Sequence, residues 1–499
     1  MKELTVSSTE NRMIELRHPD KFFIDGKWVA PSSGATSSVI DSATEIECLR
    51  VAEAQLEDME RAVAAARRAF DHGPWPRMSP AERGEYLSRI ADAWERRADQ
   101  VGDAWTLESG VLRSMSAYSG PGAAAVYRFH AGLGESFSWT ERRTSATGGP
   151  ALLVQEPVGV VAAIIPWNSP TSLLQHKAAP ALIAGCTLVV KSSPEAPAAP
   201  YIFAEICEEI GLPPGVVNVI NAEREVSEAL VRNPGIDKVS FTGSTAAGRK
   251  IASICGERIA RVTLELGGKS PALILDDYDV GKAAAQIAAF APMVTGQVCA
   301  SLTRIIVGAK RHDEFVDALS AEFSRIKVGD PFDPATQMGP LATARHRDRV
   351  ESYIEQGQAE GSRMVHGGKR PAHLNRGYFV EPTIFANVDN SSTIAQEEIF
   401  GPVVSVIPAG SEEEAIAIAN DTIFGLNSAV FTEDADRCYA VGRQIRAGTV
   451  GHNGFKLDLT IGFGGFKQSG IGREGGLAGI GAYLEPKTML FETEPKLIG

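Results

Sequence analysis

The chain has 499 residues, a hydrophobic fraction of 44% and a formal net charge of −13 at pH 7. This length allows two or three domains, and the acidic balance argues against nonspecific nucleic-acid binding, which depends on a basic surface. No apolar run reaches the roughly 18–20 residues that span a bilayer, and the polar N-terminus carries no apolar signal core. We therefore expect a cytoplasmic protein with neither nucleic-acid nor membrane partners. Its six cysteines form no CxxC pair, a pattern that disfavours disulfides and structural zinc.

The first part of the chain predicts a loose tail, a hairpin and two helices. The tail extends to about Pro19, and Phe22–Val29 predicts two short strands around an Asp-Gly turn. Leu56–Phe70 has apolar residues at helical spacing. Ser79 begins a second helix, because it can cap the first turn while Glu82 completes a capping box.

From Gly159 onward, short β-branched runs alternate with helical stretches. The predicted strands are Val160–Ile165, Thr187–Val190, Val216–Ile220 and Lys238–Thr242. The predicted helices are Leu173–Ile183, Ala198–Ile210, Glu225–Val231 and Ala246–Ile254. This alternation predicts a parallel sheet covered on both faces. Ligands of such sheets bind at the carboxyl ends of the strands.

A second α/β unit follows in the C-terminal half. Its predicted strands are Arg304–Val307, Phe379–Phe385 and Val403–Ile407, and its predicted helices are His312–Ile326 and Ser411–Asn420. The last segment, Thr488–Glu492, predicts an edge strand. The fold class is therefore α/β, with two units.

Two residues indicate covalent catalysis. Cys299 lies in the run Gly296-Gln297-Val298-Cys299, and Glu265 lies at a turn rich in glycine, Leu264-Glu265-Leu266-Gly267-Gly268. A thiol can form a thioester, and a carboxylate can activate the water that hydrolyses it. Taken singly, Cys299 is also compatible with a buried inert thiol, and Glu265 with an ordinary strand residue.

Two turns at the predicted sheet edge can contribute further groups. Phe241–Gly248 follows a strand and opens a helix, so its backbone N–H groups can meet a phosphate, although a plain turn has the same pattern. Asn168 follows another strand, and its amide can stabilise an oxyanion or simply form a turn.

Three more segments have a binding and a structural interpretation. Lys191 ends a strand and could hold a ribose hydroxyl or a phosphate, or be a solvated strand end. Glu397–Pro402 pairs carboxylates with an aromatic ring, and could grip a ribose or end a helix. The glycine-rich Phe463–Gly470 is a binding loop or a surface turn.

Together these segments resemble the aldehyde dehydrogenase superfamily. The matching runs, in family order from about Phe22 to Phe491, are Pro166-Trp167-Asn168, Lys191, Phe241–Thr245, Leu264–Gly268, Gly296–Cys299, Glu398–Pro402 and Phe463–Gly465. The resemblance implies a Rossmann-like cofactor domain (20–133 and 152–264) and an α/β catalytic domain (265–466). It also implies a small β oligomerisation element (134–151 and 484–495) that joins subunits into a dimer or tetramer.

The resemblance also implies roles. Cys299 would attack the aldehyde, Asn168 would hold the oxyanion, Glu265 would activate water, and Lys177 and Glu474 would relay the proton. The residues implied for the dinucleotide are Ile164, Pro166, Trp167, Lys191, Ser193, Pro194, Gly243, Ser244, Leu266, Gly267, Glu398 and Phe400. No metal is implied.

Two positions bear on subclass and cofactor. Family members that transfer the acyl group to coenzyme A generally lack a glutamate at position 265, so Glu265 favours hydrolysis over a coenzyme A-acylating enzyme. The intact catalytic residues argue against a catalytically idle structural relative. Pro194 stands where many NAD-preferring members carry glutamate, and Glu195 follows it. We expect NAD, with NADP as the alternative.

The implied substrate tunnel is mostly apolar. Its residues are Leu173, His176, Met293, Val298, Ala300, Leu457 and Phe463. It contains no arginine for a carboxylate, and Ser169 stands where a phenylalanine is common, which should widen it. We expect a bulky apolar aldehyde, aromatic or terpenoid. His176 and Asp458 could meet a ring hydroxyl or be structural.

Overall fold

The computed structural model of the protein describes residues 12–496. Its strands are β1 (Phe22–Ile24), β2 (Lys27–Val29), β3 (Thr36–Ile40), β4 (Glu47–Ala52), β5 (Thr140–Thr144), β6 (Pro150–Pro157), β7 (Val160–Ile164), β8 (Thr187–Ser192), β9 (Val217–Asn221), β10 (Lys238–Thr242), β11 (Arg261–Glu265), β12 (Ser270–Ile274), β13 (Leu302–Gly308), β14 (Arg363–His366), β15 (Thr383–Ala386), β16 (Val403–Ala409), β17 (Ala429–Phe431), β18 (Gly451–His452), β19 (Gly470–Ile471) and β20 (Leu484–Leu490).

The helices separate and cover these strands. They are α1 (Leu56–His72), α2 (Pro80–Arg96), α3 (Ala98–Ser109), α4 (Arg113–Ser116), α5 (Ser119–Ser136), α6 (Pro170–Ala184), α7 (Ala198–Glu209), α8 (Arg224–Arg232), α9 (Thr245–Glu257), α10 (Val280–Phe290), α11 (His312–Phe323), α12 (Ala344–Ala359), α13 (Thr393–Gln396), α14 (Glu412–Asn420), α15 (Ala435–Gly442) and α16 (Gly476–Ile480). Within residues 12–496, none of these helices is both long and apolar enough to cross a membrane.

The first large sheet has the order β19-β11-β10-β7-β8-β9-β1-β2, and the five strands from β11 to β9 are parallel. Alternate residues of β7 face opposite sides, as the pleat requires. Val161 and Ala163 pack in a core with Trp94 and Phe203, whereas Val160 packs on the other face among residues of α1, α8 and α9. The predicted parallel sheet, covered on both faces, is confirmed.

The second large sheet has the order β14-β15-β16-β13-β12-β17-β18 and is parallel except for β14. Its first strand along the chain is β12, which starts at Ser270, only five residues after β11 of the first sheet ends at Glu265. The chain therefore passes from the carboxyl edge of the first sheet to the amino edge of the second. Residues at both edges face the same cleft.

A third sheet is small and antiparallel, with the order β20-β6-β5. It pairs Thr488 with Leu153, and Met489 and Leu490 in its edge strand are exposed. This is the combination of segments expected for the oligomerisation element. The domain boundaries and the role in subunit association stay predictions.

Several local predictions were wrong in part. Of the predicted loose tail, residues 1–11 lie outside the described part of the chain, but Ile14 is buried and its N–H donates to the Cys48 carbonyl at 2.9 Å. The strand predicted over Phe379–Phe385 starts only at Thr383, because Pro382 offers no N–H to a ladder. The helix predicted to Ile326 ends at Phe323, and the last strand lies a few residues earlier than predicted.

Candidate active site

A cleft of about 450 Å³ lies at the meeting edges of the two large sheets. Its lining residues are Pro166, Trp167, Asn168, Glu195, Thr242, Gly243, Ser244, Leu266, Gly267, Cys299, Thr343, Arg345, His346, Arg349, Glu398 and Phe400. The lining combines a thiol, carboxylates, cations and aromatic rings. Such a concave mixed surface is typical of a ligand site.

Strand register explains why distant segments meet here. Ile164 of β7 lies opposite Phe241 of β10, and Thr242 of β10 lies opposite Glu265 of β11. The residues that follow these parallel strands therefore emerge side by side. Ser244 caps α9 by accepting a hydrogen bond from the Ala247 N–H at 3.3 Å, so the positive end of that helix opens into the cleft.

Cys299 lies on a loop that approaches other backbone closely. A side chain at Gly268 would place a Cβ only 2.3 Å from the Cys299 carbonyl oxygen, so glycine is required for this approach. Cys299 is partly exposed to the cleft. Burial, followed by the negative charges of Glu398 and Glu265, raises the pKa of its thiol to about 12.

The loop before Cys299 is strained and then held by Gln297. Val294 and Thr295 have φ values of +50° and +55°, in the left-handed region that β-branched residues disfavour. The buried Gln297 side chain donates to the Val294 carbonyl and accepts from the Ala342 N–H, each at 2.9 Å. These bonds hold the cysteine loop in one conformation.

Asn168 is oriented towards the same loop. Its side-chain Nδ2 donates to the main-chain carbonyl of Gln297 at 2.9 Å, and its main-chain carbonyl accepts from Trp105 Nε1 at 2.8 Å. The side-chain amide has two hydrogens, so one remains after the bond to Gln297. That hydrogen can be donated to an oxygen on a carbon attacked by Cys299.

Glu265 is a buried carboxylate without a hydrogen-bond partner on either oxygen within the described structure. It packs against Gly464, where a Cβ would lie 2.7 Å from Oε1. Burial and the charge of Glu474 raise its pKa well above the ordinary value, against the opposing effects of Lys177 and Arg473. A carboxylate with a raised pKa is a better proton acceptor at neutral pH.

A buried ion pair lies behind Glu265. Lys177 Nζ donates to Glu474 and, at 2.7 Å, to Thr242 Oγ1. Glu474 also accepts from Ser240 Oγ at 3.4 Å. Lys177 and Glu474 are almost completely buried, so their charges act strongly on Glu265.

The aromatic wall of the cleft contains a residue that sequence reasoning missed. The Trp167 and Phe400 rings lie edge to face at 5.4 Å, and the His346 ring lies 5.2 Å from Trp167. His346 Nε2 lies 2.6 Å from the Phe400 carbonyl oxygen. Burial raises the pKa of Glu398 to about 7, while its Oε1 accepts from the Gly268 N–H at 3.2 Å.

The structure brings together eight of the twelve residues predicted for the dinucleotide: Pro166, Trp167, Gly243, Ser244, Leu266, Gly267, Glu398 and Phe400. Ile164 instead packs into the core below the cleft, because the pleat turns its side chain away. Lys191, Ser193 and Pro194 are not among the lining residues of the cleft, whereas Glu195 of the same segment is. Sequence reasoning missed Thr343, Arg345, His346 and Arg349, which come from α12 and the residue before it, a segment without a recognisable motif.

The residues predicted for the substrate are only partly collected. Val298, Ala300 and Phe463 form one apolar cluster with Cys299 and Leu459. Leu173 is half-buried, Leu457 is exposed, and Met293 lines a smaller neighbouring cavity with Phe455. His176 is buried, which lowers its pKa to about 3. Asp458 is exposed and accepts hydrogen bonds from Thr460, so it has a local structural partner.

Comparisons with known proteins agree with this geometry. The model of the aldehyde dehydrogenase family matches residues 28–489. A geranial dehydrogenase from Castellaniella defragrans is 45% identical, over 94% of this chain and 98% of that protein. A betaine aldehyde dehydrogenase from Bacillus subtilis is 38% identical, over 95% of this chain and 98% of that protein. A crystal structure of an aldehyde dehydrogenase from Mycobacterium tuberculosis, complexed with NAD+, superposes with a TM-score of 0.93 at 42% identity, over 96% of this chain and 99% of that one.

Proposed function

The chain belongs to the aldehyde dehydrogenase family, and from this membership we propose that it oxidises a bulky apolar aldehyde to the acid with NAD, through a thioester on Cys299. One observation carries the proposal. Cys299 and Asn168 line one cleft, and the buried Glu265 carboxylate, whose charge acts on the Cys299 thiol, has no hydrogen-bond partner among the described residues.

The first step is attack of Cys299 Sγ on the aldehyde carbon as the thiolate, after its proton has passed to solvent. A carbon–sulfur bond forms, and the carbonyl oxygen becomes an oxyanion. The free hydrogen of the Asn168 amide and the Cys299 backbone N–H can donate to it, and one such donor is typically worth about 3–4 kcal/mol of transition-state stabilisation. When bound, NAD supplies the acceptor for the hydride whose loss converts this adduct to a thioester.

Hydrolysis of the thioester then requires a base. Glu265 has a raised pKa and, within residues 12–496, no competing hydrogen bond, so its carboxylate can take a proton from water as the oxygen attacks the thioester carbon. The carbon–sulfur bond breaks, and the acid and the Cys299 thiolate are released. Lys177 and Glu474 lie in the buried network behind Glu265 and could pass the proton on.

The cleft fits a dinucleotide. The N-terminus of α9 at Ser244 offers backbone N–H groups to phosphate, and Glu398 can accept hydrogen bonds from ribose hydroxyls. The Trp167 and Phe400 rings can pack on a flat ring. The NAD+ complex of the similar Mycobacterium tuberculosis protein supports NAD as the cofactor.

The apolar surroundings of Cys299 support a bulky apolar substrate. Val298, Ala300, Leu426, Phe455 and Phe463 pack in one apolar cluster next to the thiol. The 45% identity to a geranial dehydrogenase supports a terpenoid aldehyde. The exposed apolar side chains Met489 and Leu490 on the small sheet support association of subunits. The cytoplasmic location stays a prediction.

An aldehyde panel with NAD tests the proposal. We expect geranial-like and benzaldehyde-like substrates to be oxidised with higher kcat/KM than succinate semialdehyde or betaine aldehyde, without added coenzyme A. Cys299→Ala should abolish activity, whereas Cys438→Ala, a control outside the cleft, should retain it. Preference for the small charged aldehydes would refute the substrate class. Strict dependence on coenzyme A would favour an acylating enzyme, and inactivity of the wild type an idle relative.

A further inference from the structure

A short segment, Gly425-Leu426-Asn427, contacts both the turn after Glu265 and the loop that carries Cys299. We call it the bridging segment. A Cβ at Gly268, in the turn after Glu265, would lie 2.3 Å from the Cys299 carbonyl oxygen and 3.2 Å from Leu426 Cβ. Leu426 also packs in the apolar cluster that includes Cys299. The bridging segment therefore lies against both the nucleophile and the turn that carries the base.

Ser469 fastens the first end of the bridging segment to that turn. Its side chain is completely buried, and its Oγ accepts from the Gly425 N–H at 2.9 Å and donates to the Gly267 carbonyl at 2.6 Å. Its main-chain carbonyl accepts from the Leu266 N–H at 2.9 Å, and the residue after it pairs with Glu265 between β19 and β11. One hydroxyl therefore links the bridging segment to the turn directly after the base.

Asn427 fastens the other end to the cysteine loop. Its side chain is completely buried, and its Nδ2 donates to the main-chain carbonyl of Ala300, the residue after Cys299, at 3.1 Å. Its Oδ1 has no hydrogen-bond partner within residues 12–496, so the bond to Ala300 orients the amide, because the flipped amide would place two oxygens against each other. The Ser301 N–H donates to the Val298 carbonyl at 3.0 Å. Asn427 therefore holds the turn from which the Cys299 side chain and N–H project.

We propose that Ser469 and Asn427 are positioning residues that, through the bridging segment, hold the base at a fixed distance from the acyl group on Cys299, an inference that rests on the proposed function. Neither residue is among those that line the cleft, so each acts through main-chain groups. Asn427 sets the direction of attack by Sγ and the place of the Cys299 N–H at the oxyanion. Ser469 sets the turn from which the Glu265 carboxylate reaches water. A displacement of about 1 Å can lower a rate about 100-fold while every reacting group is still present.

An activated ester separates the two half-reactions without NAD. The Cys299 thiolate attacks the ester carbonyl, a carbon–sulfur bond forms, and the alcohol leaves in a first-turnover burst; water then breaks the carbon–sulfur bond in the steady state. We expect Asn427→Leu, which has a similar size but no N–H to donate, to slow the burst about tenfold. We expect Ser469→Ala to leave the burst unchanged and to slow the steady state about tenfold. The acyl-enzyme should then accumulate in Ser469→Ala, as measured by mass spectrometry of the intact protein.

Two buried side chains outside the cleft are matched controls for structural damage. Asn218 is completely buried, and its Nδ2 donates to the Gly215 carbonyl at 2.8 Å. Ser405 is also buried, and its Oγ donates to the Ile394 carbonyl at 3.2 Å. Asn218→Leu and Ser405→Ala should lower the thermal unfolding midpoint and leave both rates of the folded protein unchanged. If Asn427→Leu does not fold, Asn427→Ala removes the same donor without adding bulk.

The outcomes separate this inference from the proposed function. If Asn427→Leu and Ser469→Ala lose stability while both rates stay at the wild-type values, as in the controls, the positioning roles are refuted. Equal slowing of both half-reactions in both variants would also refute them, because the two ends of the bridging segment would then not act on separate groups. Under either result the wild type would still oxidise an aldehyde with NAD. A wild type that shows no burst and oxidises no aldehyde would refute the proposed function and this inference together.

Discussion

Breaking the buried ion pair of Lys177 and Glu474 should have two separable effects, one on the stability of the fold and one on the pKa of Glu265. Lys177→Gln leaves the Glu474 carboxylate buried with only the 3.4 Å contact from Ser240 Oγ. Removing one partner of a buried ion pair typically lowers the free energy of unfolding by about 3–5 kcal/mol. Glu474→Gln keeps a carbonyl oxygen for Lys177 Nζ, so we expect it to cost less, about 2 kcal/mol.

The effects on Glu265 should have opposite signs. The charge of Glu474 raises the pKa of Glu265, and the charge of Lys177 lowers it. Hydrolysis needs the Glu265 carboxylate, so its rate falls as pH drops through this pKa. Lys177→Gln should raise the pKa of Glu265 and move the acidic limb of the pH–rate profile to higher pH. Glu474→Gln should lower this pKa and move the acidic limb to lower pH.

An activated ester allows this measurement without NAD. It acylates Cys299 directly, so its steady-state turnover as a function of pH reports hydrolysis of the thioester, while thermal unfolding midpoints report stability. Lys487→Gln removes one partner of the exposed pair with Glu156 and should change neither quantity. Shifts of the acidic limb in the same direction for both buried variants would refute the electrostatic reasoning, since structural damage alone would produce that result.

Two further predictions concern the cysteine loop and the cleft. Val294→Asn should increase the free energy of unfolding by about 1 kcal/mol and so raise the thermal unfolding midpoint, because asparagine tolerates the left-handed φ of +50° at this position better than a β-branched residue. A lower midpoint would contradict the inferred backbone strain. Because burial raises the pKa of Glu398 to about 7, and the carboxylate form accepts hydroxyl hydrogen bonds, affinity for NAD should rise with pH up to about 7 and then level off. The Glu398→Gln variant should lose this pH dependence when its affinity for NAD is measured by calorimetry. An unchanged pH profile in the variant would assign the dependence to another group.

The sequence by itself determined the α/β class and the parallel arrangement of the first sheet, and its resemblance to the family implied most of the candidate site. These features are local, because alternating β-branched runs and helices define the sheet, and Asn168 and Gly243 each follow a predicted strand. Parallel strands then bring their carboxyl ends to one edge whatever the packing details. Boundaries that depend on single hydrogen bonds, such as the start of β15 at Thr383, were predicted less well.

Only the tertiary structure decided how the site is tuned. The hydrogen bond from Ser469 to Gly267 and the ion pair of Lys177 and Glu474 join segments 202 and 297 positions apart. No periodicity in the sequence relates such segments. The lack of a hydrogen-bond partner on Glu265 in the described part of the chain is likewise a property of what packs around it. Burial and long-range charges set the pKa of a group, and both are products of the folded chain rather than of any local run of residues.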